Sequence, residues 1–127
     1  MDAAVAILLV TPNGIPLVRD PKKPAPLYWK LPGGRSENKE TPGKAAIREL
    51  KEEVGVALDE KDLEALYTEE RDTHTFFLFQ AAVNSSRDIR KHGNEGEEVR
   101  LFLPEDLKKL PDFFPSHREI LTEIKYF

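Results

Sequence analysis

With 127 residues, 39% of them hydrophobic and 33% charged, the chain suits a single globular domain over residues 1–127, large enough to bury a core without covalent staples. It has no cysteine, which excludes a disulfide framework and a thiolate metal site and suits a reducing, cytoplasmic setting. A net charge of −4 leaves no basic surface for a nucleic-acid backbone, so no nucleic acid polymer is expected as a partner.

The first apolar run, Ala3 to Val10, is too short to span a bilayer and follows Asp2 where a secretory leader has basic residues. It reads as a buried strand, and no membrane association is expected. Thr11-Pro12-Asn13-Gly14 then turns the chain into a second strand, Ile15 to Arg19, with Asn-Gly as a hairpin signal. The prolines of Asp20 to Pro26 demand a loop. Leu27 to Leu31 is extended because Pro32 follows, and Gly33-Gly34 makes a tight turn.

Thr41-Pro42 opens a helix, with Thr41 as N-cap, that runs to Val54 and stops at Gly55. Leu63 to Glu70 and Thr73 to Val83 read as strands. Asn84 to Gly96 is a polar loop and Glu98 to Leu103 another strand. Pro104 starts a short turn or helix, and Ser116 is expected to cap a last helix from His117 to Lys125. Strands, helix, strands, helix give an α/β fold: an α/β/α or α+β sandwich around a mixed sheet rather than a regularly alternating, doubly wound one.

At about 100° per residue, Glu52 and Glu53 fall within about 60° on either side of Glu49, so the three carboxylates share one helix face. Gly43, Ala46, Ile47, Leu50 and Val54 form a separate apolar stripe. Like charges at this spacing oppose one another by about 0.2–0.5 kcal/mol, and anions in a last turn oppose the helix dipole by roughly 0.3–1 kcal/mol. A hard divalent cation reverses both effects. Such triplets also occur on solvated helix faces, so spacing alone does not decide. The preceding Leu31-Pro32-Gly33-Gly34 adds a turn whose backbone can approach a ligand closely and whose carbonyls can coordinate a cation.

The register of these residues resembles the Nudix signature: Gly34, then Glu40, then Arg48-Glu49-Leu50-Lys51-Glu52-Glu53-Val54-Gly55-Val56, a match at every fixed position of a box spanning residues 34–56. The resemblance implies the Nudix α/β/α sandwich and metal-dependent hydrolysis of a nucleoside diphosphate linked to another moiety. It implies metal ligation by Glu49, Glu52 and Glu53 with the Gly34 carbonyl, and Mg²⁺ or Mn²⁺ as the ion. Arg48 is implied to hold the box glutamates in place and keep them ionised, with Glu40 in the same supporting layer. Proton acceptance from water is implied for Glu53, Glu49 or an acid outside the box, for which Glu98 is the first choice among Glu95, Glu97 and Glu98.

Beyond the box the sequence says less. Trp29, beside the glycine turn, is the aromatic residue expected to face a base, whereas Tyr28, Phe76 and Phe77 are expected in the core. Arg19 and Arg35 are expected to reach phosphates, as are Lys22, Lys23 and Lys39. No histidine is assigned a catalytic role. The marks of ADP-ribose and diadenosine polyphosphate hydrolases, a proline or a tyrosine, are missing around Glu70-Arg71-Asp72-Thr73. The compact length therefore favours a MutT-like nucleoside triphosphate pyrophosphohydrolase that is a monomer or homodimer. The alternatives are a hydrolase of dinucleoside polyphosphates or nucleotide sugars and, in another class, a non-catalytic nucleotide-binding regulatory module.

Overall fold

The computed structural model describes residues 2–127. Six strands and three helices follow in the order β1 (Ala3–Val10), β2 (Ile15–Arg19), β3 (Gly33–Arg35), α1 (Pro42–Val54), β4 (Glu64–Glu70), β5 (Thr75–Ala82), β6 (Glu98–Phe102), α2 (Pro104–Lys109) and α3 (Pro115–Glu123). A single 3₁₀ turn, Glu60–Asp62, links α1 to β4. Among these helices none is long and apolar enough to cross a membrane.

The unbroken apolar run of β1 is explained by its place at the middle of the main sheet. That sheet has the order β3-β1-β5-β4, with β1 parallel to β5 and the other pairs antiparallel. Successive side chains of a strand point to opposite faces, so a strand covered on both sides must be apolar throughout. Val5, Ile7 and Leu9 pack with Ala45, Ala46, Leu50 and Val54 of α1. Ala6 and Leu8 face the other way, into a core shared with Phe76, Leu78, Leu107, Phe113 and Leu121. Helices thus cover both faces of a mixed sheet, the α/β sandwich that the element order predicts.

Three local expectations change. The Asn-Gly turn forms, but it holds only a Thr11–Gly14 bridge, because β2 leaves the main sheet and pairs with β6 instead. Gly33–Arg35 is a strand where a turn is expected: it lies antiparallel to β1, with Gly33 opposite Ala6 and Gly34 opposite Val5. The last helix starts at Pro115 with Phe114 as its N-cap residue, two positions before the expected Ser116 cap. Proline at the first helical position loses no helical bond, and here it sets the start. At α1 the expected cap is present: Thr41 Oγ1 accepts the Lys44 N–H at 3.1 Å.

Candidate active site

The three glutamates of α1 meet the Gly33-Gly34 strand in one cleft of about 710 Å³. Gly33, Gly34, Glu49, Glu52 and Glu53 all line it. A Cβ on Gly33 would overlap the Val5 carbonyl oxygen of the neighbouring strand. On Gly34 it would stand 2.8 Å from the Glu49 carboxyl carbon. Both positions need the bare backbone because sheet and carboxylate approach it so closely.

Arg48 organises the acids. Its Nε and Nη2 donate to the two oxygens of Glu40 at 2.7 and 3.0 Å. Its Nη1 donates to Glu49 at 2.7 Å and to Glu52 at 3.2 Å, and Nη2 also reaches the Arg35 carbonyl at 3.1 Å. The fork holds Glu40 well below the usual carboxylate range, chiefly through its hydrogen bonds, and its own pKa rises in return. Glu40 does not line the cleft; it sits behind the arginine, where it also accepts the Glu37 N–H.

Arg48 does not keep every acid ionised. Burial pushes Glu49 upward, outweighing the arginine's opposing hydrogen bond. Glu53 is pushed up to about 8, first by burial and then by the charges of Glu49, Glu97 and Glu52, against one favourable hydrogen bond from the Gly33 N–H at 2.7 Å. Taking a carboxylate out of water disfavours its charge, and one amide donor does not compensate. Among the described residues, no three such side chains are gathered at chelating spacing. Their oxygens accept from Arg48 and Gly33, which offsets the repulsion between them.

The segment 84–97 folds over the end of α1. The Arg90 amide donates to the Val54 carbonyl and the Asn94 amide to the Glu52 carbonyl, each at 2.9 Å. These donors satisfy carbonyls that a helix end leaves open and offset the clash between the dipole and the acids. The fold-over brings Asn94, Glu95 and Glu97 into the cleft wall.

Glu98 lies elsewhere. It begins β6 opposite Arg19, which donates to it at 3.1 to 3.4 Å, and it is absent from the cleft lining. The acids outside the box that do line the cleft are Asp20, Glu95 and Glu97, the last of them one residue earlier. Strand alternation sends neighbours to opposite sides, and sequence gave no way to choose the phase.

Of the residues expected to touch substrate, Lys23 lines the cleft, whereas Trp29, Arg19, Arg35, Lys22 and Lys39 do not. Trp29 is 2% exposed and packs edge-to-face on Phe102 under the Arg19 guanidinium, whose carbon is 4.4 Å from its ring centre. Arg19 is taken up by Glu98, and Arg35 pairs with Asp2 at 3.1 Å. Tyr28, Lys30 and Phe114, none of them expected there, line the cleft beside Lys23. His117 is buried beside them, its Nδ1 accepting the Leu31 N–H at 3.1 Å.

A NUDIX domain model matches residues 1–124. Diphosphoinositol polyphosphate phosphohydrolase 2 of Mus musculus is 32% identical over 102 residues, which is 79% of this chain and 57% of that protein. The chain therefore spans little more than half the length of this relative. The MutT structure of Aliivibrio salmonicida and Vibrio cholerae superposes with a TM-score of 0.79 over 99% of this chain and 98% of that one, at 22% identity. The bifunctional NMN adenylyltransferase/ADP ribose pyrophosphatase of Francisella tularensis, solved with AMP and a manganese ion, covers 98% of this chain and 41% of its own, with a TM-score of 0.74 and 22% identity. These two likenesses concern the fold.

Proposed function

The chain belongs to the Nudix family, and from that premise we propose that it is a hydrolase of phosphoric anhydride bonds in a small nucleoside di- or triphosphate, of MutT-like type, dependent on Mg²⁺ or Mn²⁺. The observation that carries this reading is the convergence of Glu49, Glu52, Glu53 and the Gly33-Gly34 backbone in one cleft. The donor set is oxygen alone, which fits a hard divalent cation. The bare backbone of Gly34 fits it too, because without a Cβ the Glu49 carboxylate packs directly against that strand. Glu49, Glu52, Glu53 and the Gly34 carbonyl would hold the ion, which when bound supplies charge neutralisation at the phosphate oxygens.

Among these acids we assign proton acceptance to Glu53, which lines the cleft beside Glu49 and is oriented by the Gly33 N–H at 2.7 Å. Water attacks a phosphorus, its proton passes to the Glu53 carboxylate, and the anhydride oxygen leaves with the other phosphoryl group. Arg48 and Glu40 hold Glu49 and Glu52 in position. Glu97, by its place in the lining, completes the acidic wall. We further read residues 1–127 as one domain, cytoplasmic by its lack of cysteine, with a small-molecule diphosphate as partner, no nucleic acid polymer, and a monomeric or homodimeric state.

Purified protein incubated with nucleoside triphosphates, nucleotide sugars and dinucleoside polyphosphates in Mg²⁺ tests this. Release of phosphate or pyrophosphate from a triphosphate, abolished by EDTA, is expected. No turnover of any compound, with EDTA without effect, would refute it. Nucleotide binding with a regulatory effect that survives Glu53→Gln would instead favour a non-catalytic module.

A further inference from the structure

The segment that leads into the glycine strand is bonded residue by residue. Trp29 forms a parallel bridge with Phe113. Its amide donates to the Asp112 carbonyl and its carbonyl accepts the Phe114 amide, each at 2.8 Å. Lys30 exchanges both bonds with Val18, at 2.8 and 2.9 Å. Pro32 has no N–H to place. The Gly33 amide donates to Glu53 Oε1 at 2.7 Å. That leaves the amide of Leu31, a residue only 3% exposed, which needs an acceptor inside the protein.

A parallel ladder would send this amide to the Phe114 carbonyl, the next acceptor along the partner segment. That carbonyl is turned along a helix axis instead. It accepts the Arg118 amide at 3.0 Å, at the start of α3 that Pro115 sets. His117, in the first turn of α3, supplies the missing acceptor: its Nδ1 takes the Leu31 N–H at 3.1 Å. A side chain thus continues the ladder that the helix interrupts.

The ring is fixed in that aim. His117 is buried, with Phe114 nearly perpendicular to it at 5.0 Å and Phe76 and Phe113 each at 6.4 Å between centres. An imidazole nitrogen accepts only without a proton, and burial keeps this ring neutral. What it holds lies close to the chemistry. β3 is a three-residue edge strand with two glycines, so backbone bonds alone set its place. The ring of Pro32 fixes its φ, so a shift of the Leu31 peptide passes on to Gly33 with little to absorb it.

We propose that His117, which does not line the cleft, is a positioning residue: by accepting the Leu31 amide it fixes the backbone that aims the Gly33 N–H at Glu53. The proposal rests on the hydrolase reading of the cleft and adds to it a residue from the far side of the strand.

The test uses ¹⁵N-labelled protein and steady-state kinetics. In the wild type a coupling across the hydrogen bond should join the Leu31 nitrogen to His117 Nδ1. The Gly33 amide proton should lie downfield, as a short bond to a carboxylate requires. His117→Asn places an amide oxygen at the branch position of Nδ1, His117→Gln carries it one bond further out, and His117→Leu has none. The Gly33 proton should hold its place in the asparagine variant and move upfield in the other two. With Mg²⁺ and the nucleoside triphosphate that the wild type hydrolyses fastest, kcat should fall about tenfold or more in His117→Gln and His117→Leu at nearly constant KM, with asparagine restoring it to within about threefold. A histidine that only stabilised the fold would lower the melting temperature and move neither the Gly33 proton nor kcat. Absence of the coupling, a Gly33 proton unmoved by glutamine and leucine, the same kcat in all the variants, or loss of folding in both His117→Gln and His117→Leu would overturn the assignment. If no triphosphate is hydrolysed the hydrolase reading fails by itself, and the Gly33 shift still decides the positioning.

Discussion

Glu97 and Glu98 are adjacent acids with different surroundings. Glu97 faces the cleft and adds its charge to the field on Glu53, whereas Glu98 is bound to Arg19 at the far side of the strand pair. Glu97→Gln is expected to lower kcat or raise the Mg²⁺ needed for half-maximal rate by about tenfold, as loss of a carboxylate near a cation does. Glu98→Gln is expected to leave the rate within about twofold and cost at most about 1 kcal/mol in urea unfolding, since its pair with Arg19 is partly exposed. The reverse pattern in steady-state kinetics would contradict this placement. His117 bears on stability. Burial, then the positive charges of Lys30 and Arg71, push its pKa down to about 3, while the unfolded chain takes up the proton near 6.5. A folded pKa below the unfolded one means the contribution is complete above about pH 6.5 and is lost as pH falls toward about 3. Glu53 acts in the opposite sense, its folded pKa being raised, so the comparison belongs in a Glu53→Gln background. There the unfolding free energy should fall by about 2 kcal/mol from pH 7 to pH 5 through His117 alone. His117→Asn, which retains an acceptor for the Leu31 N–H, should flatten that slope; an unchanged slope would show that the histidine is not held neutral.

Elements explain which parts of the site could be read from sequence. Most of α1 was legible: Thr41 caps it, Ala46, Leu50 and Val54 of the expected stripe meet β1, and Glu49, Glu52 and Glu53 sit on one face because helix spacing is local and fixed; Ala45, left off that stripe, is buried with them, while Gly43 and Ile47 are only half-buried. The partners that α1 acquires from afar were not. Gly33-Gly34 reads as a turn, and nothing in two glycines announces a strand beside β1. The 84–97 segment docks through backbone amides onto helix carbonyls, a contact no side-chain pattern encodes. His117 is bound to Leu31 across 86 positions of sequence, and Phe114 meets Tyr28 by the same long-range closure. Trp29, placed in the substrate site by its nearness to the glycines, is instead core, because the alternation of an extended segment turns it inward while Tyr28 and Lys30 line the cleft. The glycine strand yields a paired prediction. Gly33→Ala should prevent folding or lower the melting temperature steeply, because its Cβ meets the backbone of β1. Gly34→Ala should fold, because its Cβ meets the end of a side chain, yet lose Mg²⁺-dependent stabilisation as Glu49 is displaced. Thermal melts of both variants with and without millimolar Mg²⁺ check this, and equal behaviour of the two would contradict it.

At the scale of the whole molecule, the sandwich gives the site a floor and two walls joined through residues 28–34. Sheet β3-β1-β5-β4 fixes the glycine backbone against α1, which anchors the acidic wall. The β2–β6 pair and the residues beside it, Trp29 and Lys30 among them, tie the wall of Tyr28 and Phe114 to α3. The fold class followed from the order of elements, whereas the split into two sheets did not, because the Asn-Gly signal specifies a turn and not which sheet its second strand joins. The most direct test of the account is the rate of nucleoside triphosphate hydrolysis against free Mg²⁺ in wild type and Glu52→Gln, the half-exposed member of the acidic face. The account predicts no turnover without the metal, saturable activation by it, and a midpoint shifted about tenfold or more upward in the variant. Turnover that survives EDTA, or an activation curve unmoved by the substitution, would contradict it.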